Sequence, residues 1–423
     1  MAITTHSVAD VCRSAKRASR ALAALDTVTK DRALEAIAAA VDERADEILD
    51  ANARDMEAGR AAGLDAAFLD KLRLDHDRVA AMSHGVRQIV ALSDPVGEVI
   101  RGFRLPNGLD LRQVRAPLGV VAVVYEARPN VTVDCTALAI KSGNAIVLRG
   151  SSQAAHSNAV LAAVATEAAD DAGLPGGTIG LVAGGGRGEL AELATQDGLV
   201  DLIVPRGGEG LKAALQDVAT VPVIYAASGN CHVFVDAGAD LGMAEEIVLN
   251  AKTQRPGVCN AIETLLVHRD AAPTFLPGAL RRLRDAGVQL RADRRARAAV
   301  GDLATSLQEA TEEDWDTEYL AMVLAVGVVD SVQEAIEHIN AHGSGHSEAI
   351  VTASTDSARA FELGIDAACV YVNASTRFTD GGEFGMGAEI GNSTQKLHAR
   401  GPIGMRELCT YKYLVEGSGQ VRP

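Results

Sequence analysis

The chain has 423 residues, of which 48% are hydrophobic and 23% charged, so it can bury a sizeable core and is not a disordered protein. Its formal net charge of −16 argues against a general binder of nucleic acid or anionic membranes, because both attract a basic face. Aromatic residues make up only 3% of the chain, so the core must consist mainly of Ala, Val, Leu and Ile. At about 150 residues per domain, the length predicts two or three domains.

The cysteines indicate a reducing compartment. Six of them are scattered along the chain, with no Cys-x-x-Cys pair and no zinc-type spacing. This pattern favours reduced thiols over a disulfide framework. The first residues lack the layout of a signal peptide, and no run of about 18 apolar residues could span a membrane. We therefore expect a cytoplasmic protein.

Helical patterns fill about the first hundred residues. Apolar side chains recur at helical spacing over 31–50 and again over 64–92. Residues 99–114 then form two short extended runs around Pro106-Asn107-Gly108. The Asn-Gly pair predicts a hairpin with a type I′ turn, which needs positive φ at both central residues.

Strands and helices alternate from Gly119 onward. The apolar run Val120–Tyr125 predicts a strand that is buried on both faces. Further strands are predicted in this block over 145–148, 179–183, 199–204 and 221–226, and a second alternating block covers about 243–373. The alternation predicts an α/β fold with parallel sheets and a ligand crevice at the carboxyl ends of the strands.

Cys259 is the thiol most suited to chemistry. Pro256 ends the preceding helix, Gly257 frees the backbone, and a strand begins just afterwards. Lys252 and Arg255 are close in sequence and would favour the thiolate. A small buried core cysteine fits the same pattern equally well, and the other five cysteines are predicted to be core residues.

Signals for phosphate and metal binding are weak. Ser151 and Ser152 stand between a strand and a helix, a position that suits a phosphate, although an ordinary helix cap is favoured on this signal alone. The glycines from Gly184 to Gly188 do not have the dinucleotide spacing and favour a tight turn. His338 and His342 are four residues apart, and a solvated helix end is favoured over a metal site. We expect no metal.

Around Cys259 the sequence resembles the aldehyde dehydrogenase superfamily, and the resemblance extends over nearly the whole chain. It is closest to the branch of reductases that act on the acyl phosphate of glutamate in proline biosynthesis. The segments that carry it are APLGVVAVVYEARPN at 116–130, KSGNAIVLRGSS at 141–152, VPRGGEGL at 204–211, TQRPGVCNA at 253–261 and FGMGAEIGNSTQKLHARGPIG at 384–404.

The resemblance implies an aldehyde-dehydrogenase-like fold of two parallel-sheet α/β domains and a small β oligomerisation element. The NADPH-binding domain would comprise residues 1–98 and 115–228, and the catalytic domain residues 229–385. The oligomerisation element would comprise residues 99–114 and 386–423. A homo-oligomer, and a glutamate kinase that supplies the labile acyl phosphate, are the implied partners.

The resemblance also implies roles for single residues. Cys259 is the expected nucleophile, and Asn130 is the expected side chain of the oxyanion hole. The residues expected to bind NADPH are Arg149, Ser151, Ser152, Gly207, Gly208 and Glu318. The anionic substrate needs cations, for which the candidates are Arg128, Lys252, Arg255, Lys396 and Arg400.

One departure from the superfamily pattern bears on the reaction. Aldehyde dehydrogenases that hydrolyse their thioester carry a glutamate as the base for water, and Ala226 stands at that position here. The missing carboxylate favours reduction of an acyl phosphate, whose phosphate is already a good leaving group.

Three alternatives remain open at this stage. The chain could act on another acyl phosphate or on a coenzyme A thioester, and it could use NADH in place of NADPH. A cysteine hydrolase or acyltransferase without a nucleotide would need a histidine base, for which His232 and His268 are the nearest in sequence. A scaffold with a degenerate site is disfavoured by the intact Cys259 and Asn130.

Overall fold

The structure is a computed structural model that describes residues 7–184, 186–225 and 228–422. The chain divides into two compact units. The first unit comprises Met1–Tyr225, Gly385–Gly391 and Ile403–Pro423, and the second comprises Ala226–Phe384 and Asn392–Pro402. Residues 99–114 and most of the tail therefore fold with the first unit, whereas 392–402 fold with the second.

The helices are α1 Val8–Leu22, α2 Thr27–Glu43, α3 Ala45–Ala61, α4 Ala66–Leu72, α5 His76–Val90, α6 Asn130–Lys141, α7 Ala155–Asp171, α8 Arg187–Ala194, α9 Glu209–Gln216, α10 Leu241–Thr253, α11 Ala272–Asp285, α12 Arg294–Ala299, α13 Glu312–Trp315, α14 Val332–His342 and α15 Thr355–Gly364. Short 3-10 turns occur at Ser152–Ala154, Gly301–Ser306 and Thr376–Phe378. Within the described ranges, no helix combines the length and the hydropathy that crossing a membrane requires.

The strands are β1 Val99–Arg104, β2 Asp110–Pro117, β3 Val120–Tyr125, β4 Ala145–Gly150, β5 Ile179–Leu181, β6 Leu202–Arg206, β7 Cys231–Val235, β8 Ile262–His268, β9 Gln289–Ala292, β10 Gln308–Glu309, β11 Val323–Val329, β12 Ser347–Val351, β13 Cys369–Val372, β14 Asn392–Ser393, β15 Gly401–Pro402 and β16 Cys409–Glu416. Each unit has a parallel sheet, and this confirms the predicted α/β class.

The parallel sheet of the first unit has the order β5-β4-β3-β6. Its central strand β3 is buried at every residue, as its unbroken apolar run predicts. The strand predicted over 221–226 is wrong within the described part, because only Val223 forms an isolated bridge, to Ile203. Pro222 has no backbone N–H to donate, which prevents a continuous ladder at this edge.

The second unit contains a seven-stranded sheet of order β10-β9-β11-β8-β7-β12-β13, in which every pairing is parallel. Apolar clusters lie on both of its faces. Strand β7 was not predicted, because His232 interrupts its apolar run, yet all five of its residues are buried.

Strands β1, β2 and β16 form a separate antiparallel sheet. The hairpin predicted over 99–114 is confirmed, but its turn is not type I′. Gly108 has a φ of 87°, whereas Asn107 does not have a positive φ. Pro106 fixes its own φ near −65°, so the loop turns through Pro106 and Asn107, and only Gly108 is left-handed. Gly108 N–H donates to Leu105 O at 2.9 Å.

The predicted long helices are each divided in two. The segment 31–50 breaks between α2 and α3 at Arg44, which has a φ of −105° and a ψ of 25°. The segment 64–92 breaks between α4 and α5, where the Asp75 side chain accepts a hydrogen bond from the N–H of Arg78 and begins a new helix.

Candidate active site

The predicted site residues lie at opposite ends of the strands in the two units. In the first unit, Ser151 directly follows β4 and Gly207 directly follows β6, so both lie at carboxyl ends as expected. In the second unit, Cys259 precedes β8 and Glu318 precedes β11, so both lie at amino ends. The expectation of a carboxyl-end crevice is therefore wrong for the predicted nucleophile.

Cys259 is the only half-exposed thiol in the part of the chain that the structure describes. The chain has six free cysteines, and the other five are buried, which confirms their prediction as core residues. Burial raises the pKa of Cys12 to about 11 and that of Cys135 to about 12, so both remain protonated thiols. Cys259 therefore is the cysteine best placed to meet a ligand.

The start of the neighbouring strand β7 holds the backbone of Cys259. A Cβ atom at Gly229 would lie 1.6 Å from the carbonyl oxygen of Cys259, so only glycine fits there. Two residues later, the Cys231 thiol donates a hydrogen bond to the same oxygen at 3.1 Å. The loop that carries Cys259 is thus packed closely against a buried strand.

Glu318 is anchored at the same place. Its Oε1 accepts a hydrogen bond from the N–H of Gly229 at 2.6 Å. Leu320, two residues further on, has a φ of 51°, in the left-handed region that leucine rarely adopts. Its N–H donates to Glu263 Oε1 at 3.1 Å, which helps to hold the turn. Gly229 therefore links the Cys259 loop to the loop of Glu318.

Lys252 lies at the base of the Cys259 loop and does not contact solvent. Its side chain is fully buried, forms an ion pair with the buried Glu263, and donates from Nζ to Ile262 O at 2.9 Å. This burial contradicts the prediction that Lys252 meets a substrate anion. Because Lys252 lies in the last turn of α10 and Glu263 is the second residue of β8, the pair closes the Cys259 loop at its base.

Burial acts on both members of this pair. It lowers the pKa of Lys252, and it raises the pKa of Glu263 to about 7, while their mutual attraction opposes both shifts. The free energy of this ion pair is therefore set by two large opposing contributions, and removing one partner would leave an unpaired buried group.

Arg377 is a half-buried cation near Cys259 that the sequence analysis missed. Its Nε donates to Gln254 Oε1 at 2.8 Å. Burial and the neighbouring Arg255 lower the pKa of Arg377, whereas the charge on Cys259 raises it. The backbone around Arg377 is tied to the Cys259 loop, because Asn260 Nδ2 donates to Thr379 O at 3.0 Å. No spacing in the sequence marks Arg377, since only the fold brings it to Cys259.

Two of the predicted substrate cations share one carboxylate. Lys396 Nζ lies 2.5 Å from Asp366 Oδ2, and Arg400 Nη2 lies 2.9 Å from Asp366 Oδ1. Arg255, in contrast, is exposed beside Arg377, and Arg128 is exposed in the first unit between β3 and α6. The five predicted cations therefore do not form one cluster within either unit.

Asn130 begins α6 in the first unit. Its Nδ2 donates to Asp134 Oδ2 at 2.8 Å, which uses one of its two amide hydrogens. Burial raises the pKa of Asp134 to about 6, although the bond from Asn130 and the charge of Arg206 oppose that rise. Asp134 thus fixes the orientation of the Asn130 amide.

Arg149 is buried against a glycine loop. Its Nη2 donates to Gly186 O at 2.6 Å, and burial lowers its pKa, while Glu189 and Glu126 oppose that change. The Arg149 Nε is buried and has no hydrogen-bond partner. Beside it, Ser151 Oγ accepts from the N–H of Ala127 at 3.4 Å.

The glycines after β6 form a close turn. A Cβ atom at Gly207 would lie 2.7 Å from Glu126 Oε2, and the N–H of Gly208 donates to that oxygen at 3.2 Å. Gly208 is the residue before α9, and Ser152 begins the 3-10 turn before α7. Helix starts, a glycine turn and the unpartnered Arg149 Nε fit the phosphates of a dinucleotide.

Comparison with known proteins decides the family. The sequence model of the aldehyde dehydrogenase family matches residues 1–313 and 305–412. The chain belongs to the aldehyde dehydrogenase family. Gamma-glutamyl phosphate reductase from Moorella thermoacetica is 53% identical over 408 residues, which cover 96% of this chain and 97% of that protein. The enzyme of the same name from Kineococcus radiotolerans is 54% identical over 417 residues, covering 99% and 96%.

A solved structure agrees with these relatives. Gamma-glutamyl phosphate reductase from Thermotoga maritima has a TM-score of 0.96 and 45% identity, over 99% of this chain and 100% of that one. The predicted resemblance to this branch of the aldehyde dehydrogenase family is confirmed, and so are the predicted fold class and the oxidoreductase class.

His232 and His268, the candidate bases for a hydrolase, lie in surroundings that do not suit that role. His232 is fully buried, its Nδ1 lies 2.9 Å from Glu348 Oε2, and burial lowers its pKa to about 3. His268 ends β8, whereas Cys259 precedes it, so about 20 Å of strand separates the two. Neither histidine is placed to activate Cys259.

The prediction of a solvated helix end at His338 is wrong. Its ring packs against Trp315, with 5.2 Å between the ring centroids, and burial lowers its pKa to about 3. The described ranges contain no group of three or more metal-binding side chains.

Ala226, which stands where hydrolytic members of the family carry a base, lies outside the described residues.

Proposed function

We propose that this chain reduces gamma-glutamyl phosphate to glutamate-5-semialdehyde and phosphate, with NADPH, through a thioester on Cys259. The observation that carries this proposal is the setting of Cys259, a half-exposed cysteine on a loop fixed by Gly229. Relatives that are 50–54% identical over nearly the whole chain carry the name of this reaction.

Cys259 forms and breaks the covalent bond. Its thiolate attacks the acyl carbon, a carbon–sulfur bond forms, and phosphate leaves with the electrons of the carbon–oxygen bond. After reduction of the acyl carbon, the thiohemiacetal regains its carbonyl and expels the Cys259 thiolate. Asn130 and the N–H of Cys259 are the proposed donors to the oxygen that carries negative charge in these steps.

A nicotinamide dinucleotide, when bound, supplies the hydride. Gly207, Gly208, Ser151 and Ser152 would hold its phosphates in the first unit, and Glu318 would hold the ribose next to the nicotinamide. The preference for NADPH rests on the resemblance and on Arg149, whose buried Nε lacks a partner. A 2′-phosphate would supply the anion that such a group favours.

The proposed substrate is an anion, and the cations proposed to bind it differ from those expected from the sequence. Arg377 and Arg255 near Cys259 replace Lys252, whose buried pair with Glu263 leaves it no accessible surface. Arg128, Lys396 and Arg400 remain candidates for the carboxylate and the phosphate.

We also propose a cytoplasmic homo-oligomer, with a glutamate kinase as the supplier of substrate. The sheet β1-β2-β16 exposes large apolar side chains, among them Phe103 at 49% and Tyr411 at 53%. Exposed apolar side chains on one sheet are typical of a protein–protein contact. A second copy of this chain is the proposed partner of this sheet.

The deciding assay runs the reaction backwards, from glutamate semialdehyde and NADP⁺, and follows the absorbance of the reduced nicotinamide. We expect reduction of NADP⁺ that requires inorganic phosphate. Reduction that requires coenzyme A, or that proceeds equally with water alone, would contradict the proposal. NAD⁺ in parallel reactions tests the cofactor preference.

A further inference from the structure

A polar cavity of about 250 Å³ lies within the second unit, at the end of α14. The inner wall is formed by the loop Gly343–Gly345 and by Glu348 at the start of β12. Asp366 and the segment 394–400 form its rim. The proposed chemistry of Cys259 makes no use of the inner wall of this cavity.

Two polar atoms on the inner wall are buried without a partner. Glu348 is only 1% exposed, and its Oε1 has no hydrogen-bond partner, although Oε2 accepts from the N–H of His232 at 2.8 Å. The hydroxyl of Ser344 is likewise buried and unpartnered. A buried polar atom without a partner costs free energy, so each is placed to bond to something inside the cavity.

Both atoms are donors in this setting. Burial raises the pKa of Glu348 well above its usual range, so the carboxyl is protonated. Oε2 accepts from the backbone N–H of His232 and lies 2.9 Å from its Nδ1, so with the Nδ1–H tautomer of His232 the carboxyl proton lies on Oε1 and can be donated to the cavity. The Ser344 hydroxyl can rotate to donate as well.

The rim adds positive charge. Lys396 and Arg400 both contact Asp366, at 2.5 and 2.9 Å, so two cations share one carboxylate. With Glu348 neutral, the charged side chains that line the cavity sum to one positive charge. Hydrogen-bond donors inside a net positive cavity match an oxyanion and disfavour a cation.

We propose that this cavity binds a small oxyanion, a phosphate or a carboxylate, between Arg400 and Lys396 at the rim and Ser344 and Glu348 inside. Inorganic phosphate and the α-carboxylate of a glutamyl compound share this chemistry. This proposal rests on the proposed function, which already offers Lys396 and Arg400 as partners of the substrate anion, but anion binding is measured apart from turnover because the donors are in place whether or not Cys259 reacts.

Isothermal titration calorimetry of the full chain, without cofactor, tests the site with inorganic phosphate and, separately, with glutamate. We expect that Arg400→Gln and Ser344→Ala each weaken binding by about tenfold or more, as loss of a charge-assisted or buried hydrogen bond should. Arg359→Gln changes an exposed arginine of α15 outside the cavity and should leave binding unchanged.

The outcomes separate the sources of the anion. Binding of phosphate but not glutamate that weakens in Arg400→Gln supports a phosphate site, and the reverse supports a carboxylate site. No binding of either anion would overturn the proposal, since the cavity would then hold only water. Phosphate binding that neither substitution weakens also overturns the proposal, because that phosphate would lie elsewhere, for example on the glycine turn after β6. Ser344→Ala decides the matter if circular dichroism shows that Arg400→Gln does not fold.

Discussion

The thiol of Cys231 donates a hydrogen bond to the carbonyl oxygen of Cys259, with 3.1 Å between sulfur and oxygen. Burial raises the pKa of Cys231 well above its usual range, so this thiol stays protonated and remains a donor. A thiol is a weak donor, and the contact therefore contributes mainly by fixing the peptide group that follows the nucleophile. Gly229, two residues before β7, approaches the same oxygen.

This close packing predicts that Gly229→Ala disables Cys259. The new Cβ would lie 1.6 Å from the Cys259 carbonyl oxygen, so the nucleophile loop must move. We expect turnover to fall by about 10²-fold or more, as displacements of about 1 Å at reacting groups do. Gly238→Ala is the matched control, because a Cβ there meets nothing within 4 Å. Equal turnover in the two variants would show that the loop tolerates the shift.

Cys259→Ala should abolish turnover and leave NADPH binding intact, measured by quenching or enhancement of the cofactor fluorescence. Because Cys259 is half-exposed and the other five cysteines are buried, native wild-type protein should take up one equivalent of iodoacetamide, located by mass spectrometry, and the variant none. Cys12→Ala, at a buried thiol, is the control and should still label once. Activity retained in Cys259→Ala would remove this residue from the mechanism.

The buried pair of Lys252 and Glu263 should contribute strongly to stability only as a pair. Lys252→Met leaves Glu263 buried and unpaired, and we expect a loss of about 3–5 kcal/mol in the free energy of unfolding. The loss should be smaller at about pH 5.5 than at about pH 8, because protonation removes the charge of Glu263. The double variant Lys252→Met/Glu263→Leu should recover most of it. Denaturant unfolding that gives equal losses for the single and double variants would contradict this account.

Asp134 should make stability depend on pH in a defined window. Burial raises its folded pKa to about 6 from a usual value of 3.8, so the folded state binds more protons between these values. Its contribution to stability is therefore present at low pH and lost as pH rises through about 6. Asp134→Asn removes this titration, and unfolding free energies measured from about pH 4 to 7 should then fall less steeply. An unchanged slope would mean that Asp134 is ionised throughout.

Asn130→Ala should lower turnover by about 10²–10³-fold if the amide stabilises the charged oxygen. Asp134→Asn is informative here as well, because an asparagine oxygen can still accept from the Asn130 amide and should preserve most activity. Initial rates with saturating NADPH measure both variants. Equal losses in the two would indicate that Asn130 acts only through its contact with Asp134.

Phe103→Asp should dissociate the oligomer, because it places a charge on the exposed apolar sheet formed by β1, β2 and β16. Light scattering coupled to gel filtration gives the mass in solution. Leu363→Asp is the control, since Leu363 is 78% exposed on α15 of the second unit and is not part of that sheet. A mass unchanged by Phe103→Asp would place the subunit contact elsewhere.

The pattern of apolar residues along the chain was sufficient to predict much of the fold. The unbroken apolar run at Val120–Tyr125 predicted β3 at its observed bounds, and the helix Asn130–Lys141 was likewise correct. Errors arose where a local signal competed with the pattern, as at Arg44, which divides a predicted helix, and at Pro106, which changes the hairpin turn. These signals are short, and their effect depends on neighbours that the sequence does not place.

The sequence by itself determined the α/β class, the family through its motifs, and Cys259 as the thiol to examine, because each depends on local pattern or on identity of residues. Only the tertiary structure decided which charges are accessible. It buried Lys252 with Glu263 and brought Arg377, more than a hundred residues later in the chain, to Cys259. Burial and charge pairing depend on which strands become neighbours, and that is set by the packing of the whole sheet.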